Sequence, residues 1–379
     1  METSNITVIF RMTNACNLAC TYCYDSSKRQ NCEAINKQFM DNVDKIVEYI
    51  DSFCINKNKK MNLILHGGEP LTLSSDVYEV FLKKLTEKIS KISISVQTNG
   101  TLLDANKLKI LNKYNVKIGI SLDGSSEEQN KNRIYKNGRN SFNKVKNTID
   151  MLKNNNIKFG IIMTLSKNNL HKEKEIYEFI KENNICCDIR PAFPTKVNMK
   201  NSDIMTNDEY IDFFKHFFDI WYNDDTKMVK LNQINEMYDE FIKVLEPKLY
   251  RPCCEDSHSC FGRFVSVDIN GRVYTCNRTY NENIFYLGNL EQNTVEEILK
   301  NAKKLEEQRK NKINNSECVN CELYKYCYGG CPAISYYLYG DFLKPCNYLC
   351  KQKKEIYNYV KNKLKGQVSK YNEGKQDLR

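Results

Sequence analysis

The first 200 residues alternate between short apolar, β-branched runs and longer stretches whose apolar positions recur at helical spacing. Strands are expected at 5–13 (NITVIFRMT), 61–67 (MNLILHG), 91–100 (KISISVQTNG), 115–124 (NVKIGISLDG), 157–166 (IKFGIIMTLS) and 186–192 (CCDIRPA). The intervening pattern predicts helices near 36–53, 75–89, 104–113, 141–154 and 169–183. Six β–α units in series call for parallel strands joined by right-handed crossovers. They fall short of the eight units of a closed barrel, so an α/β fold with a partial (β/α)6 barrel of TIM type is expected.

Two amphipathic helices follow, in DEYIDFFKHFFDIWY (208–222) and QINEMYDEFIKVL (233–245), and read as a bridge. From Pro252 onward the composition changes, and most of the seventeen cysteines follow that point. The expected organisation is a barrel over 1–200, a helical bridge over 201–250, a cysteine-rich module over 251–355, and a C-terminal helix with polar tail over 356–379. Internal repeats are not evident.

The chain has 379 residues, 41% hydrophobic and 11% aromatic, enough for real cores. Its net charge of +10 comes from scattered Lys, without an Arg-rich or aromatic-interleaved basic block, which argues against a nucleic-acid partner. No apolar run approaches a membrane span, and METSNITVIF has no signal-peptide pattern. A cytoplasmic, reducing setting is therefore expected, where clustered cysteines read as metal ligands rather than disulfides.

Cys16, Cys20 and Cys23 in NACNLACTYCYD have the spacing C-x3-C-x2-C. A loop of this length can wrap three thiolates around one face of a [4Fe–4S] cube, leaving one iron without a protein ligand. A structural zinc site needs four ligands, and no further Cys or His stands at knuckle spacing. Cys32 is the rival fourth ligand, although it follows the polar SSKRQN and the spacing is not that of a ferredoxin run.

With the aromatic Tyr22 before the third cysteine, the segment resembles the signature of the radical S-adenosylmethionine (SAM) enzymes. The resemblance implies that SAM binds the open iron and is cleaved reductively to a 5′-deoxyadenosyl radical. HGGEP (66–70) resembles that family's GGEP motif, where Gly68 lets the backbone approach the ligand and Glu69 accepts from the methionyl ammonium. TNGT (98–101) follows the third strand. The resemblance further places Ser121 against SAM, Arg133 on its carboxylate and Ala192 along the adenine site. All these positions fall at C-terminal strand ends, where barrels carry their active sites.

The later cysteines show a second pattern. Cys260 is followed by ten residues, Gly271, four residues and Cys276; CVNCELYKYCYGGC then supplies Cys318, Cys321, Cys327 and Cys331, and CNYLC ends the series. This resembles the SPASM domain, an extension of radical SAM enzymes that mostly modify peptides and proteins. By that resemblance, Cys254, Cys260, Cys276 and Cys331 would hold one auxiliary [4Fe–4S] cluster, and Cys318, Cys321, Cys327 and Cys350 a second, giving three clusters in all. Cys253 and Cys346 compete with Cys254 and Cys350, and a zinc site is the alternative for the module. Cys32, Cys54, Cys186 and Cys187 are read as buried small hydrophobes.

Length, domain order and spacing resemble the anaerobic sulfatase-maturating enzymes, which carry an Asp as proton acceptor where this chain has Asn277. A neutral amide is no base at ordinary pH. The first expectation is therefore a maturase of a ribosomally made peptide, forming a thioether or carbon–carbon crosslink, or oxidising or epimerising a residue. The alternatives are formylglycine formation despite Asn277 and, from another class, a non-catalytic iron–sulfur electron-transfer protein. Expected partners are a peptide or protein substrate and a flavodoxin- or ferredoxin-type reductant. With the first strand starting near residue 5, leader recognition would fall to the barrel or to a separate protein.

Overall fold

The computed structural model describes residues 6–25, 32–55, 60–193, 195, 203–226, 228–250 and 260–365. Six parallel strands follow in chain order: β1 (Thr7–Thr13), β2 (Met61–Gly67), β3 (Ile92–Thr98), β4 (Lys117–Ser121), β5 (Phe159–Leu165) and β6 (Cys186–Pro191). Each pairs with its successor, and among the described residues the sheet does not close. The expected partial barrel is present.

One face of the strands packs on helices. Phe10 of β1 stacks on Phe81 of α3 (Ser75–Lys88) at 5.9 Å between centroids, and both meet Phe39 of α1 (Cys32–Asp41) edge-on. All three rings are fully buried, so truncating one to Ala would cost about 3–5 kcal/mol. The single helix expected over 36–53 is instead two, α1 and α2 (Val43–Ser52). Asn42 makes the break: its side-chain amide donates to Gln38 O at 2.8 Å, competing with the backbone ladder, and its ψ of 11° leaves the helical region. The remaining barrel helices are α4 (Ala105–Lys113), α5 (Phe142–Asn154) and α6 (Glu173–Asn183).

The region read as a bridge contains α7 (Asn207–Tyr222) and α8 (Asn235–Leu245), and α8 covers the outer edge of β6. Ile234 forms a parallel bridge to Cys187, and Glu236 accepts from the Ile189 N–H at 2.8 Å. A C-terminal helix, Asn347–Lys363, packs back on α7 through Phe218 against Tyr359 and the Lys363–Asp219 pair at 2.8 Å.

The cysteine-rich region is not a separate body. It adds β7 (Phe264–Asp268), β8 (Arg272–Tyr274) and β9 (Tyr286–Asn289) to the same sheet, in the order β6-β5-β4-β3-β2-β1-β7-β8-β9. β7 pairs parallel with β1, from Thr7 opposite Phe264 to Arg11 opposite Asp268. The glycine of the Cys260–Cys276 spacing makes the β7–β8 turn: Gly271 has φ +74°, and Asp268 accepts from three backbone N–H groups of the turn.

Candidate active site

Strand alternation decides which side chains face inward. Val8, Phe10, Met12, Leu63 and Leu65 point to the helices, while Arg11, His66, Gln97, Ser121, Thr164, Asp188 and Arg190 occupy the opposite face. All of the latter except Arg11 line one cavity of about 640 Å³ at the C-terminal strand ends. Every position that the first motifs single out lines it too: Cys16, Cys20, Tyr22, Cys23, Gly68, Glu69, Ser121, Arg133 and Ala192.

The cysteine loop is held by the other motifs. Ala19 N donates to Ile134 O at 2.7 Å and Thr21 N to Asn132 O at 3.1 Å, tying the loop to the NRIY segment. Asn17 bonds both Asn99 and Thr101 of TNGT, so this motif braces the loop. Gly68 N donates to Thr13 O and Glu69 N to Ala15 O. A Cβ on Gly67 would lie 2.2 Å from Thr13 O, and one on Gly68 2.3 Å from Ala15 O. The approach of the cysteine loop itself thus requires both glycines, and Gly68 also lines the cavity.

Glu69 is almost wholly buried and accepts from Thr98 Oγ1 (2.5 Å), Asn99 N (2.7 Å) and Leu71 N (3.0 Å). Burial raises its carboxyl pKa, and those donors oppose the rise. Across the cavity, Tyr22 donates to Asp123 Oδ2 at 2.5 Å and accepts from Arg133 Nη1 at 2.8 Å. Asp123 was not singled out in the sequence, although it lies beside Ser121 in SLDG; it orients both Tyr22 and Arg133, whose Nη1 is 3.8 Å from it. The Nε of Arg133 is buried without a protein partner. Ser121 Oγ accepts from Gln97 at 3.0 Å, and the Ala192 N–H is spent on Leu165 O. Desolvation pushes the Cys16 thiol up to about 12 and Cys23 to about 11, with Cys20 also raised, so a nearby cation is needed to hold them as thiolates.

The later cysteines gather in two groups. Cys260 lies within electrostatic reach of Cys331 and Cys276. Cys318, Cys321, Cys327, Cys346 and Cys350 line a second, small cavity. Both rivals for the last position, buried Cys346 and exposed Cys350, border it. Cys253 and Cys254 lie outside the described residues. Among the described residues no three Cys, His, Asp or Glu converge as around a single ion; a cubane asks for wider spacing, because each thiolate meets a different iron. Of the cysteines read as buried hydrophobes, Cys187 is buried and Cys54 half-buried, but Cys186 is exposed at the first position of β6. The side chain of Cys32 is outside the described residues.

Arg309, on the helix Val295–Asn314, is buried beside both groups and was not foreseen. Its Nη2 donates to Gly329 O and Gly330 O at 3.0 Å each, and its Nη1 to Lys344 O at 3.0 Å and to Phe342 O.

Asn277 adjoins the first site through Tyr24 and His66, which line the cavity. Its Oδ1 accepts from Arg11 Nη1 at 2.7 Å, and its Nδ2 donates to Tyr24 Oη at 2.6 Å. Arg11 is 1% exposed, pairs with Asp25 at 2.6 Å, and stacks over Tyr280. Its charge in the middle of a buried strand was the available signal for this network.

Two family models divide the chain. Residues 10–180 match the radical SAM superfamily, and residues 253–322 match SPASM, an iron–sulfur cluster-binding domain. The chain is a radical SAM enzyme with a SPASM domain. It is 28% identical over 361 residues to a cysteine-type anaerobic sulfatase-maturating enzyme of Clostridium perfringens, covering 92% of this chain and 94% of that one. It is 26% identical to the radical SAM cyclopropyl synthase TigE of Paramaledivibacter caminithermalis, over 93% and 72%. A solved structure described as native anSMEcpe with bound AdoMet and Cp18Cys peptide superposes with a TM-score of 0.80 at 24% identity, over 97% and 100%, a likeness of fold.

Radical SAM membership brings SAM and a [4Fe–4S] cluster, and the SPASM domain brings further iron–sulfur clusters. The residues of this radical SAM site fit such a ligand: three thiols, a buried carboxylate and an arginine with an orphaned buried Nε share one cavity. No helix among the described residues is long and apolar enough to cross a membrane.

Proposed function

We propose that the chain is a maturase that uses SAM to generate a radical and modifies a residue of a peptide or protein. The observation that carries this reading is the single cavity shared by Cys16, Cys20, Cys23, Tyr22, Gly68, Glu69, Ser121, Arg133 and Ala192. Cys16, Cys20 and Cys23 hold the catalytic cluster. Glu69 takes the methionyl ammonium, and Arg133, aligned by Asp123, takes the carboxylate through its unused Nε–H. Tyr22, Ser121 and Ala192 border the rest of the molecule. When bound and reduced, SAM supplies the radical; the chain's own work is to orient it and keep water out.

Cys254, Cys260, Cys276 and Cys331 hold one auxiliary cluster, and Cys318, Cys321, Cys327 and Cys350 the other, for three in total. These clusters suit a net oxidation, since they can accept the electron left after bond formation. The barrel occupies roughly 1–200 and the auxiliary-cluster module 251–355, and a flavodoxin- or ferredoxin-type protein in the cytoplasm supplies the electron. Leader recognition, where the substrate has a leader, falls to the barrel or a separate protein.

Formylglycine formation is the second reading, favoured by the 28% identity to a sulfatase-maturating enzyme. Against it stands Asn277, whose Oδ1 already accepts from Arg11 and whose Nδ2 can only donate. Anaerobic incubation of the reduced enzyme with SAM is the decisive assay. 5′-Deoxyadenosine must appear, and about twelve irons per chain are expected for three clusters; absence of cleavage would reduce the chain to an electron carrier. Formylglycine formation on a CxPxR-type sulfatase peptide would replace the first reading with the second.

A further inference from the structure

Asn277 and His66 meet at the inner end of β2, 3.2 Å apart, in hydrogen bonds whose directions are set by partners that can only donate. Arg11 Nη1 has no acceptor capacity, so the Asn277 atom it meets at 2.7 Å is the carbonyl Oδ1. The Asn277 Nδ2 therefore faces the Tyr24 hydroxyl and His66 Nδ1, with one hydrogen for each. The Gly67 backbone N–H, also donor-only, reaches the same Nδ1 at 2.8 Å. Two donors converge on Nδ1, which must carry a lone pair rather than a proton.

The ring is neutral, because burial and the neighbouring Arg11 push its pKa down to about 4. The single ring proton consequently resides on Nε2. His66 lines the large cavity, and with Nδ1 taken by the protein, Nε2–H is the polar group the ring has left to offer there. A base would need a free lone pair, and neither nitrogen has one available.

We propose that His66 is a positioning residue that presents a hydrogen-bond donor, never a base, to an acceptor such as a carbonyl oxygen of the substrate, and that Asn277 sets this direction. The substrate part rests on the reading of the cavity as a peptide-modifying site. Substituting Asn277→Asp would place an acceptor-only carboxylate against Nδ1 while Arg11 still occupies the other oxygen. A charge-assisted bond from a protonated Nδ1 is then stronger than the one from Gly67, so Nδ1 acquires a proton.

The test is nitrogen NMR of the holoenzyme labelled with 15N-histidine. The chain has 4 histidines, and His66→Gln identifies the resonances by their loss. The wild type should show Nδ1 at an unprotonated shift and Nε2 bonded to hydrogen; Asn277→Asp should move Nδ1 into the protonated range. A wild-type Nε2 without a proton overturns the proposal, and an Asn277→Asp protein whose Nδ1 stays unprotonated overturns the part assigned to Asn277. Failure of SAM cleavage would sink the enzyme reading without altering the measured tautomer, so the two failures are distinguishable.

Discussion

Replacing Arg309 with Met tests how much of the cysteine-rich module a single guanidinium holds together. The side chain is buried and donates to four carbonyls, those of Gly329, Gly330, Phe342 and Lys344. Each bond from a charged donor is worth about 1.5–3 kcal/mol, and each carbonyl left buried without a donor costs about 1–3 kcal/mol. These terms do not add, and Met also removes the cost of burying a cation, so a net loss of about 3–5 kcal/mol is expected. At about 1.4 kcal/mol per tenfold, local opening of the Gly329–Cys331 turn should rise by about 10²–10⁴-fold. Amide hydrogen exchange reads this directly, because Gly330 N is protected by Cys327 O and Cys346 N by Gly329 O. Iron bound by the later cysteines should fall with it, since Gly329 and Gly330 lie between Cys327 and Cys331. Arg309→Lys keeps the charge but lacks the planar fork, and should fall between the two. Exchange in Arg309→Met within tenfold of wild type would refute the reasoning.

Alanine at Cys16, Cys20 or Cys23 should abolish 5′-deoxyadenosine formation while leaving the iron of the later groups in place; iron analysis beside the cleavage assay checks both halves. Arg133→Lys should weaken SAM binding about 10–100-fold, the worth of a charge-assisted bond of about 1.5–3 kcal/mol, as measured by equilibrium dialysis. His66, held near 4 from an unfolded value near 6.5, adds stability that is fully present above about 6.5 and is lost as pH falls toward 4. The denaturation midpoint should therefore drop faster over that window in the wild type than in His66→Gln.

Much of the barrel was legible because its signals are local. Short apolar, β-branched runs between stretches of helical spacing marked six strands, and β2 spans the same residues as the run MNLILHG. The helix starts expected near 75 and 104 lie within a residue of those of α3 and α4, which Ser74 and Asp104 cap. The break at Asn42 was not, because apolar spacing continues through it and only a side-chain bond to Gln38 divides the helix. β7, β8 and β9 were missed because strands of three to five residues, embedded among cysteines, carry little periodicity. The motif positions of the first site converge as their placement at strand ends suggested. What the chain order could not convey is long-range pairing: Arg11 with Asn277, Arg309 with the 342–344 carbonyls, and Asp123 with Tyr22 are contacts between distant segments.

The pairing of β1 with β7 has a mechanical consequence. β1 ends in the loop bearing Cys16, Cys20 and Cys23, and β7 leads through one hairpin turn to Cys276. A slip of one residue between these strands would displace one group by about 3.3 Å and turn its side chains to the opposite face. The gap between the first and later cysteines is therefore gauged by a ladder of backbone hydrogen bonds. Any electron passing between the first cysteines and Cys276 travels a length set by strand register.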